Sequence, residues 1–288
     1  MHYRHMLAGM TLAALIWPLY MVYSWNGAQR ESLLTVAFLD IGQGDAIFIE
    51  TPSGHQVLVD AGATRTILHE LGKVMKFNDT HIDLLIETHP DMDHIGGFTH
   101  ILDRYTVDRY IHPGIHADTR AYTSLLEKIA DQAIETTILH RGGRIVLDTR
   151  HGVYMDVLSP SPHRMPSSDR NEDSIVLRLV YGSTSFLLTG DAGVDTEKYM
   201  VRTIPDAYMR STILKLGHHG SKTSTSGEFL VATKPEVGII SAGRGNRYGH
   251  PHNEVLENMR HFAVPYLATY ENGTLVFTSN GREVQYTQ

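Results

Sequence analysis

Hydrophobic and polar positions divide the chain into an uncharged N-terminal stretch and a long region of short, mixed segments. Residues 6–25 carry no formal charge and are long enough for one membrane-spanning helix. Aromatic residues concentrate in the second half of this stretch, as they do at membrane interfaces. We predict an uncleaved anchor rather than a cleaved signal peptide or a buried core helix, because only a poor cleavage site follows. The flanking charges favour an N-terminus inside the cell and a main domain outside the cytoplasm.

From residue 34 onward, short apolar segments predict strands that first come in hairpins and later alternate with helices. Residues 34–39 and 46–50 are predicted to be paired strands around a glycine-containing turn. The apolar spacing of residues 121–133 predicts a helix. This order of elements is typical of an α/β (α+β) domain in which sheets pack between helices.

The domain boundaries follow from the same pattern. Residues 1–33 are predicted to be a membrane anchor followed by a short polar linker. No break in composition divides residues 34–288, so we predict one domain there. Within it, a last hairpin is predicted about Asn272–Gly273.

The strongest chemical signal is the segment THPDMDHIGG at residues 88–97, which follows an apolar strand. It carries four potential metal ligands within six positions: His89, Asp91, Asp93 and His94. Imidazole nitrogen and carboxylate oxygen are ligands for zinc, manganese or iron. An acidic surface turn is the alternative for any single residue, but four such residues followed by two glycines favour a metal site.

Three later segments add potential ligands. Asp191 follows an apolar strand, although a turn residue is the alternative there. His218 and His219 lie between glycines, and because neighbouring side chains point apart in extended chain, we expect at most one of them to reach the metal. The third of these segments, residues 248–252, contains His250 and lies at the start of a predicted helix. Together these residues are sufficient for two divalent ions.

Composition removes competing chemistries. The chain has no cysteine, which excludes disulfides and a cysteine nucleophile, and 18 histidines. No G-x-S-x-G segment is present, and residues 220–223 lack the Gly-Lys pair of a phosphate loop. The net charge of −7 argues against a broad basic surface for nucleic acid. It does not exclude a nucleic-acid substrate at a metal site, because bound cations dominate the local field.

Five segments in the same order, FLDIGQGDAIFI, VDAG, THPDMDHIGG, LLTGD and LKLGHHGSKTS, resemble those of the metallo-β-lactamase fold. More narrowly, they resemble the extracellular metallo-β-lactamase domain of ComEC-type competence proteins, which are bacterial DNA-uptake channels. The resemblance covers nearly all of residues 34–288. It implies a four-layer αββα sandwich with two divalent metal ions at the strand ends.

The resemblance also implies which residues hold the metals. His89 and Asp91 would hold one ion, Asp93 and His94 the other, and Asp191 would bridge them. Asp91 stands where most of the superfamily has histidine, a departure shared by the ComEC-type branch, and a carboxylate there favours manganese over zinc. The late histidine ligand of the superfamily is matched by His218, with His250 as the alternative.

Further site residues come from the same comparison. The superfamily's middle histidine has no clear match, and Asn171 and Ser174 fit the N-x-x-S segment of the ComEC-type branch instead. The first metal position is therefore expected to lack a ligand. We predict that Asp93 and His250 take part in catalysis, with Tyr248 an alternative proton donor. Asn171, Ser174 and Lys215 are predicted to bind substrate, with solvated surface charge as the alternative for the lysine.

The function that follows is a metal-dependent phosphodiesterase, a nuclease acting on DNA during uptake. A small-molecule ester or lactone hydrolase of the same fold is the first alternative, because fold does not choose the substrate. A non-catalytic module of a DNA-uptake complex is the second. DNA as substrate, the membrane and an uptake channel are the expected partners of a single-pass protein with its catalytic domain outside the cytoplasm.

Overall fold

The computed structural model describes residues 33–163 and 167–287, in which two β-sheets pack face to face between helices. The strands are β1 (Leu34–Phe38), β2 (Ile47–Glu50), β3 (Gln56–Val59), β4 (His81–Ile86), β5 (Thr106–His112), β6 (Glu135–Ile138), β7 (Arg144–Asp148), β8 (Val153–Ser159), β9 (Val176–Tyr181), β10 (Thr184–Leu188), β11 (Ile213–Lys215), β12 (Val237–Ile240), β13 (Tyr266–Ala268), β14 (Leu275–Ser279) and β15 (Val284–Thr287). The helices are α1 (Thr66–Val74), α2 (Met92–Ile95), α3 (Phe98–Leu102), α4 (Arg120–Asp131), α5 (Val194–Thr203), α6 (Gly227–Thr233), α7 (Asn253–His261) and α8 (Thr269–Asn272).

The two sheets have related topologies. The first has the order β15-β14-β1-β2-β3-β4-β5-β6, and the second has the order β13-β12-β11-β10-β9-β8-β7. Each sheet is antiparallel in one part and parallel in the other: β3 to β6 are parallel in the first sheet, and β10 to β13 are parallel in the second. The carboxyl ends of parallel strands lie at one edge of a sheet, which is where α/β proteins commonly bind ligands.

Alternation of side chains along the strands produces three hydrophobic layers. In β1, Val36 and Phe38 point between the two sheets, whereas Ala37 points to the outer face, where α1, α3 and α4 cover the sheet. The outer face of the second sheet is covered in the same way by α5, α6 and α7. Because strands buried on both faces need apolar residues at nearly every position, this arrangement explains the continuous apolar runs in the sequence. The predicted αββα sandwich is confirmed.

The predicted strands and helices agree with those of the structure, with one correction. The prediction of a hairpin about Asn272–Gly273 is wrong, because these residues end the short helix α8, and the last hairpin turns after Ser279. Within the motif at residues 88–97, Met92–Ile95 form the single helical turn α2. The predicted membrane span at residues 6–25 lies outside the described residues. No helix among the described residues is long and apolar enough to cross a membrane.

Candidate metal centre

The metal-binding motif leaves β4 at the edge where the parallel strands end. His89 lies three residues after the strand and is fully buried, and helix α2 then places Asp93 and His94 on its single turn. Gly97 is needed here because a Cβ atom on it would overlap the backbone carbonyl of Ala61, in the loop after β3. The glycine pair therefore allows the motif to pack directly against the end of a neighbouring strand.

Two histidines of the cluster are held by hydrogen bonds at Nδ1. The Nδ1 of His94 lies 2.7 Å from a carboxylate oxygen of Asp60, and it donates because that oxygen can only accept. The Nδ1 of His219 donates to the backbone carbonyl of Ser241 over 3.0 Å. Both bonds fix the tautomer that leaves Nε2 with a free lone pair, which is the arrangement of histidines that bind metal.

His89 is held in the same tautomer by a hydroxyl. The Thr88 hydroxyl donates to Asp60 over 2.7 Å, so it accepts from the Nδ1 of His89 over 3.1 Å. In the described part of the chain, the Nε2 atoms of His89, His94 and His219 are all buried and have no hydrogen bond. Three buried ring nitrogens without a hydrogen-bond partner are costly unless a cation binds them.

Asp191, three residues after β10, lies at the centre of these nitrogens. One of its carboxylate oxygens is 3.3 Å from the Nε2 of His94, 3.3 Å from that of His219 and 4.0 Å from that of His89. Asp93 reaches the same group, with its carboxylate 3.5 Å from the Nε2 of His219. These donor atoms form two overlapping sets, each with its ligand atoms within 4.8 Å of one another. The residues therefore fit a divalent metal centre.

The charges in this cluster compensate one another. Burial lowers the pKa of His94 and His219, but Asp191, together with Asp60 at His94 and Asp45 at His219, outweighs this effect. The pKa of both rings therefore lies well above the usual value. Burial opposes ionisation of Asp191, yet His219 and His94 hold its pKa well below the usual range. His89 differs, because burial and the charge of His94 lower its pKa well below the usual value. A divalent ion would replace the two ring protons as the source of positive charge.

The structure identifies His219, not His218, as the histidine of this cluster. The φ angles of His218 and His219 are 45° and 57°, so the chain turns through two left-handed residues in succession. The rule that neighbouring side chains point apart applies to extended chain and fails in this turn. His219 is 1% exposed and within reach of Asp93, whereas the Nε2 of His218 lies 3.7 Å from Asp191 and its ring is partly exposed. The geometry therefore favours His219 over His218 as the late ligand, and this assignment stays a prediction.

Lys215 does not occupy the position expected of a substrate-binding residue. It lies on β11 and is fully buried, and its ammonium group pairs with Asp45 and donates to the carbonyl of Gly190 over 2.9 Å. It also lies 3.7 Å from Asp191. A buried ammonium with these partners offsets the negative charge of the two carboxylates and has no access to substrate. Sequence reasoning missed Asp45, although it directly follows a glycine turn in the first of the five resembling segments.

Asp91 lies at the rim of the cluster and is shared with an arginine. One oxygen of Asp91 accepts from the Nε and Nη2 of Arg170, at 2.9 and 2.7 Å. Its other oxygen is 3.9 Å from the Nε2 of His89. Arg170 was not singled out in the sequence, although it directly precedes Asn171. The carboxylate that distinguishes this motif therefore has one oxygen turned to an arginine and one turned to the histidines.

The N-x-x-S segment at residues 171–174 lies against the motif. A turn of 3-10 helix spans Arg170–Asp173, and the next residues are tied to the motif because the N–H of Ile175 donates to the carbonyl of Thr88 over 2.9 Å. Ser174 is fully buried, and its hydroxyl has no hydrogen-bond partner in the described part of the chain. Asn171 is partly exposed beside it. The substrate-binding role of both residues stays a prediction.

His250 lies next to the cluster on the side of the second sheet. Its ring centroid is 5.4 Å from that of His218 and 6.2 Å from that of His219. Burial, together with the positive charges of these neighbours, lowers the pKa of His250 to about 4. At neutral pH the ring is therefore neutral, which suits it to accept a proton better than to donate one. Its catalytic role also stays a prediction.

Comparison with known proteins relates the chain to one family. The sequence model described as "Metallo-beta-lactamase superfamily" matches residues 39–244. The chain is 31% identical over 266 residues to ComE operon protein 3 of Bacillus subtilis (strain 168), in a match that covers 86% of this chain and 33% of that protein. It is also 31% identical over 253 residues to Competence protein ComA of Neisseria gonorrhoeae, covering 87% of this chain and 33% of that protein. The chain spans about one third of the length of these relatives.

Two solved structures have a similar fold. CmlA, a diiron beta-hydroxylase from Streptomyces venezuelae, superposes with a TM-score of 0.55 and 13% identity, over 88% of this chain and 54% of CmlA. YhfI from Bacillus subtilis, a metallo-beta-lactamase fold protein, superposes with a TM-score of 0.53 and 11% identity, over 81% of this chain and 95% of YhfI. At these identities the likeness concerns the fold alone.

Proposed function

Because the chain belongs to the metallo-β-lactamase superfamily, we propose that it is a metal-dependent phosphodiesterase that cleaves DNA. The observation that carries this proposal is the convergence of three buried, unpaired Nε2 atoms, from His89, His94 and His219, on Asp191. Such a set needs a cation, and a hydrolytic reaction is the chemistry that a metal with open positions supports.

Two positions can be assigned to the residues of this centre. Asp93, His94 and His219 would hold one divalent ion, and His89 with Asp91 the other, with Asp191 shared between them. Manganese or zinc in such positions supplies a hydroxide nucleophile near neutral pH and offsets negative charge on a phosphoryl group. The mixed nitrogen and oxygen donors suit either metal, and the carboxylates favour manganese.

The chain's own side chains have defined tasks around the ions. Asp60 and the carbonyl of Ser241 hold the two deep imidazoles in the ligand tautomer. Neutral His250, at the edge of the cluster, can accept a hydrogen bond or a proton from the attacking water or from the substrate. Arg170 can meet a substrate phosphate, because its side chain is 41% exposed and its guanidinium group already binds a carboxylate.

The choice of DNA rests on the relatives. One of them is named Competence protein ComA, and a relative from Haemophilus influenzae is named Recombination protein 2. We therefore propose that the domain acts on DNA during uptake, attached to the membrane through residues 6–25 and next to a channel partner. Placement of the domain outside the cytoplasm is part of the same proposal.

The test is cleavage of single-stranded DNA by the purified protein with added manganese. Wild type should cut the DNA, and Asp93→Ala should lose roughly 1,000-fold in rate because one metal position loses a ligand. Asp156→Ala is the matched control, since Asp156 is a carboxylate in a surface ion pair with Arg144, away from the centre. Its rate should equal that of wild type.

Three outcomes would contradict the proposal. Equal rates for wild type and Asp93→Ala would show that the centre does not carry the activity. Hydrolysis of a lactone or a simple ester, without cleavage of DNA, would favour the small-molecule alternative. Absence of bound metal by elemental analysis, together with DNA binding, would favour a non-catalytic uptake module.

A further inference from the structure

An exposed aromatic ring lies beside the metal centre. Tyr248 is 47% exposed, and its ring stacks on His250 with centroids 5.6 Å apart and planes at 20°. His250 in turn contacts His219, which belongs to the metal cluster. The exposed tyrosine is therefore two ring contacts away from the proposed metal position. Large aromatic side chains beside an active centre are a common means of holding flat ligands.

Arg247 covers the same ring from the solvent side. Its guanidinium carbon lies 4.8 Å from the ring centroid of Tyr248, and its Nη2 donates to the tyrosine hydroxyl over 2.6 Å. Arg247 is exposed, so a ligand that takes its place on the ring displaces no buried contact. Its charge also interacts with Asp93 of the cluster. An aromatic ring with an adjacent guanidinium offers one group for a base and one for a phosphate.

The loop that carries both residues is held rigidly. The side-chain oxygen of Asn246 accepts from the N–H groups of Tyr248 and His250, at 3.1 and 3.0 Å. Its amide group donates to the carbonyls of Gly243 and His250, at 2.9 and 2.6 Å. The N–H of Gly243 donates in turn to the side chain of Gln43 on the first sheet's loop. A ligand bound to Tyr248 would therefore lose little affinity to ordering of the loop.

The charge of this segment differs from that of the chain. The protein carries a net charge of −7, yet residues 237–253 contain no acidic residue and include Arg244 and Arg247. Lys222 is exposed nearby, where its N–H donates to the ring of His252. A local positive field beside a centre of carboxylates and metal ions suits a polyanion that passes from one to the other.

We propose that Tyr248 and Arg247 form a subsite that binds a base of single-stranded DNA, with the neighbouring phosphate at the metal centre. This inference rests on the proposed phosphodiesterase function and adds the form of its substrate. In a duplex each base is already stacked and paired and must be extruded at a cost in free energy, whereas a single strand offers its bases to a protein ring without that cost. The tyrosine face supplies stacking that does not depend on base identity, and Arg247 supplies a contact to phosphate.

The experiment measures binding rather than cleavage. The full-length protein in detergent, with Ca²⁺ present, is titrated into a fluorescein-labelled oligothymidylate and into an abasic strand of the same length, and anisotropy is recorded. Tyr248→Ala should raise the Kd for oligothymidylate about tenfold, and Tyr248→Phe should leave it within about twofold, because stacking needs the ring and not the hydroxyl. Tyr208→Ala, which removes an exposed tyrosine of another surface, is the matched control.

The abasic strand separates stacking from charge. Wild type should bind it about tenfold more weakly than oligothymidylate, and Tyr248→Ala should weaken it no further. Arg247→Ala should weaken both strands by a similar factor, because it removes a phosphate contact. Equal binding of wild type and Tyr248→Ala to oligothymidylate, or an equal loss on both strands, would overturn the proposal.

A cleavage assay on the same proteins distinguishes the two proposals. Base-dependent binding through Tyr248 without any manganese-dependent cleavage would remove the phosphodiesterase proposal and leave a binding subsite. Cleavage of single-stranded DNA with no effect of Tyr248→Ala on Kd or KM would retain the phosphodiesterase and remove the subsite.

Discussion

The two halves of the metal centre are supported in different ways. The half around Asp93 consists of Asp93, His94 and His219. Both of its imidazoles are fixed by strong acceptors, a carboxylate for His94 and a backbone carbonyl for His219. The half around His89 consists of His89 and Asp91. The His89 ring is held only by the hydroxyl of Thr88, and Asp91 is bound to an arginine. Burial does not separate the halves, because the side chains of Asp91 and Asp93 are each 30% exposed.

This difference has a chemical consequence. Acceptors that bind the outer nitrogen of a ligand histidine raise its basicity and fix its orientation, which strengthens metal binding. An arginine that occupies one oxygen of a carboxylate weakens it as a ligand. We therefore expect the half around Asp93 to hold its ion more tightly than the half around His89. The two ions should then be separable by titration.

The largest effect is expected for His219→Ala. Removing its Nε2 should lower activity roughly 1,000-fold and remove the tighter of two metal-binding steps, because that position loses a nitrogen ligand. His218→Ala is the matched control, and it should cost roughly fivefold or less, since its ring is partly exposed and contacts only the edge of the cluster. Calorimetric manganese titration and rate measurement check both variants. The reverse order of effects would return the ligand assignment to His218.

The next effect is a pH dependence of the loop that carries His219. Further along this loop, the N–H groups of Thr225 and Ser226 donate to the carboxyl group of Glu197 at 2.5 and 2.8 Å. Burial raises the pKa of Glu197 to about 7. Above pH 4.5 the unfolded chain loses this proton while the folded protein keeps it, so stability should fall between about pH 4.5 and 7 and then level off.

Comparison with Glu197→Gln isolates this dependence. Wild type should lose on the order of 3 kcal/mol of unfolding free energy across that window relative to the variant, in which the side chain does not titrate. Urea denaturation at pH 5, 6, 7 and 8 measures the difference. Parallel pH curves for the two proteins would exclude Glu197 as the titrating group.

A smaller effect should follow from removing the carboxylate behind His94. Asp60→Asn keeps the size of the side chain but weakens the acceptor for the ring, so manganese affinity of the tighter position should fall by about 10- to 100-fold. Asp148→Asn is the matched control, because Asp148 is also buried and bound to a histidine ring, His151, away from the centre. It should leave the metal affinity unchanged. Equal losses in both variants would indicate a general loss of stability.

The motif at residues 88–97 was predictable because its potential metal ligands lie close together in the sequence. His89, Asp91, Asp93 and His94 fall within six positions, and the apolar run before them places them at a strand end. The sandwich was predictable for a related reason, since apolar runs and glycine turns mark its strands directly. Asp191 was also recognised, because its carboxylate directly follows an apolar strand.

The other contributions depend on contacts between distant segments. No local pattern in the sequence shows that two consecutive left-handed residues turn His219 inward. Nor does one show that Lys215 forms an ion pair with Asp45. The pairing of Asp91 with Arg170 joins residues 79 positions apart. Such features are set by how the two sheets meet, so they could be found only once the strand ends were placed together.

The smallest effect should come from Arg170→Ala, and it tests the weaker half directly. Loss of the guanidinium frees the second oxygen of Asp91, so the weaker metal-binding step should strengthen by about threefold, a magnitude typical of a partly exposed ion pair. The tighter step should not change. Arg144→Ala, which removes a comparable ion pair with Asp156, is the control and should alter neither step. If Arg170→Ala weakened the first step, or if both steps moved together, the arginine would be supporting the whole centre and the two halves would not be independent.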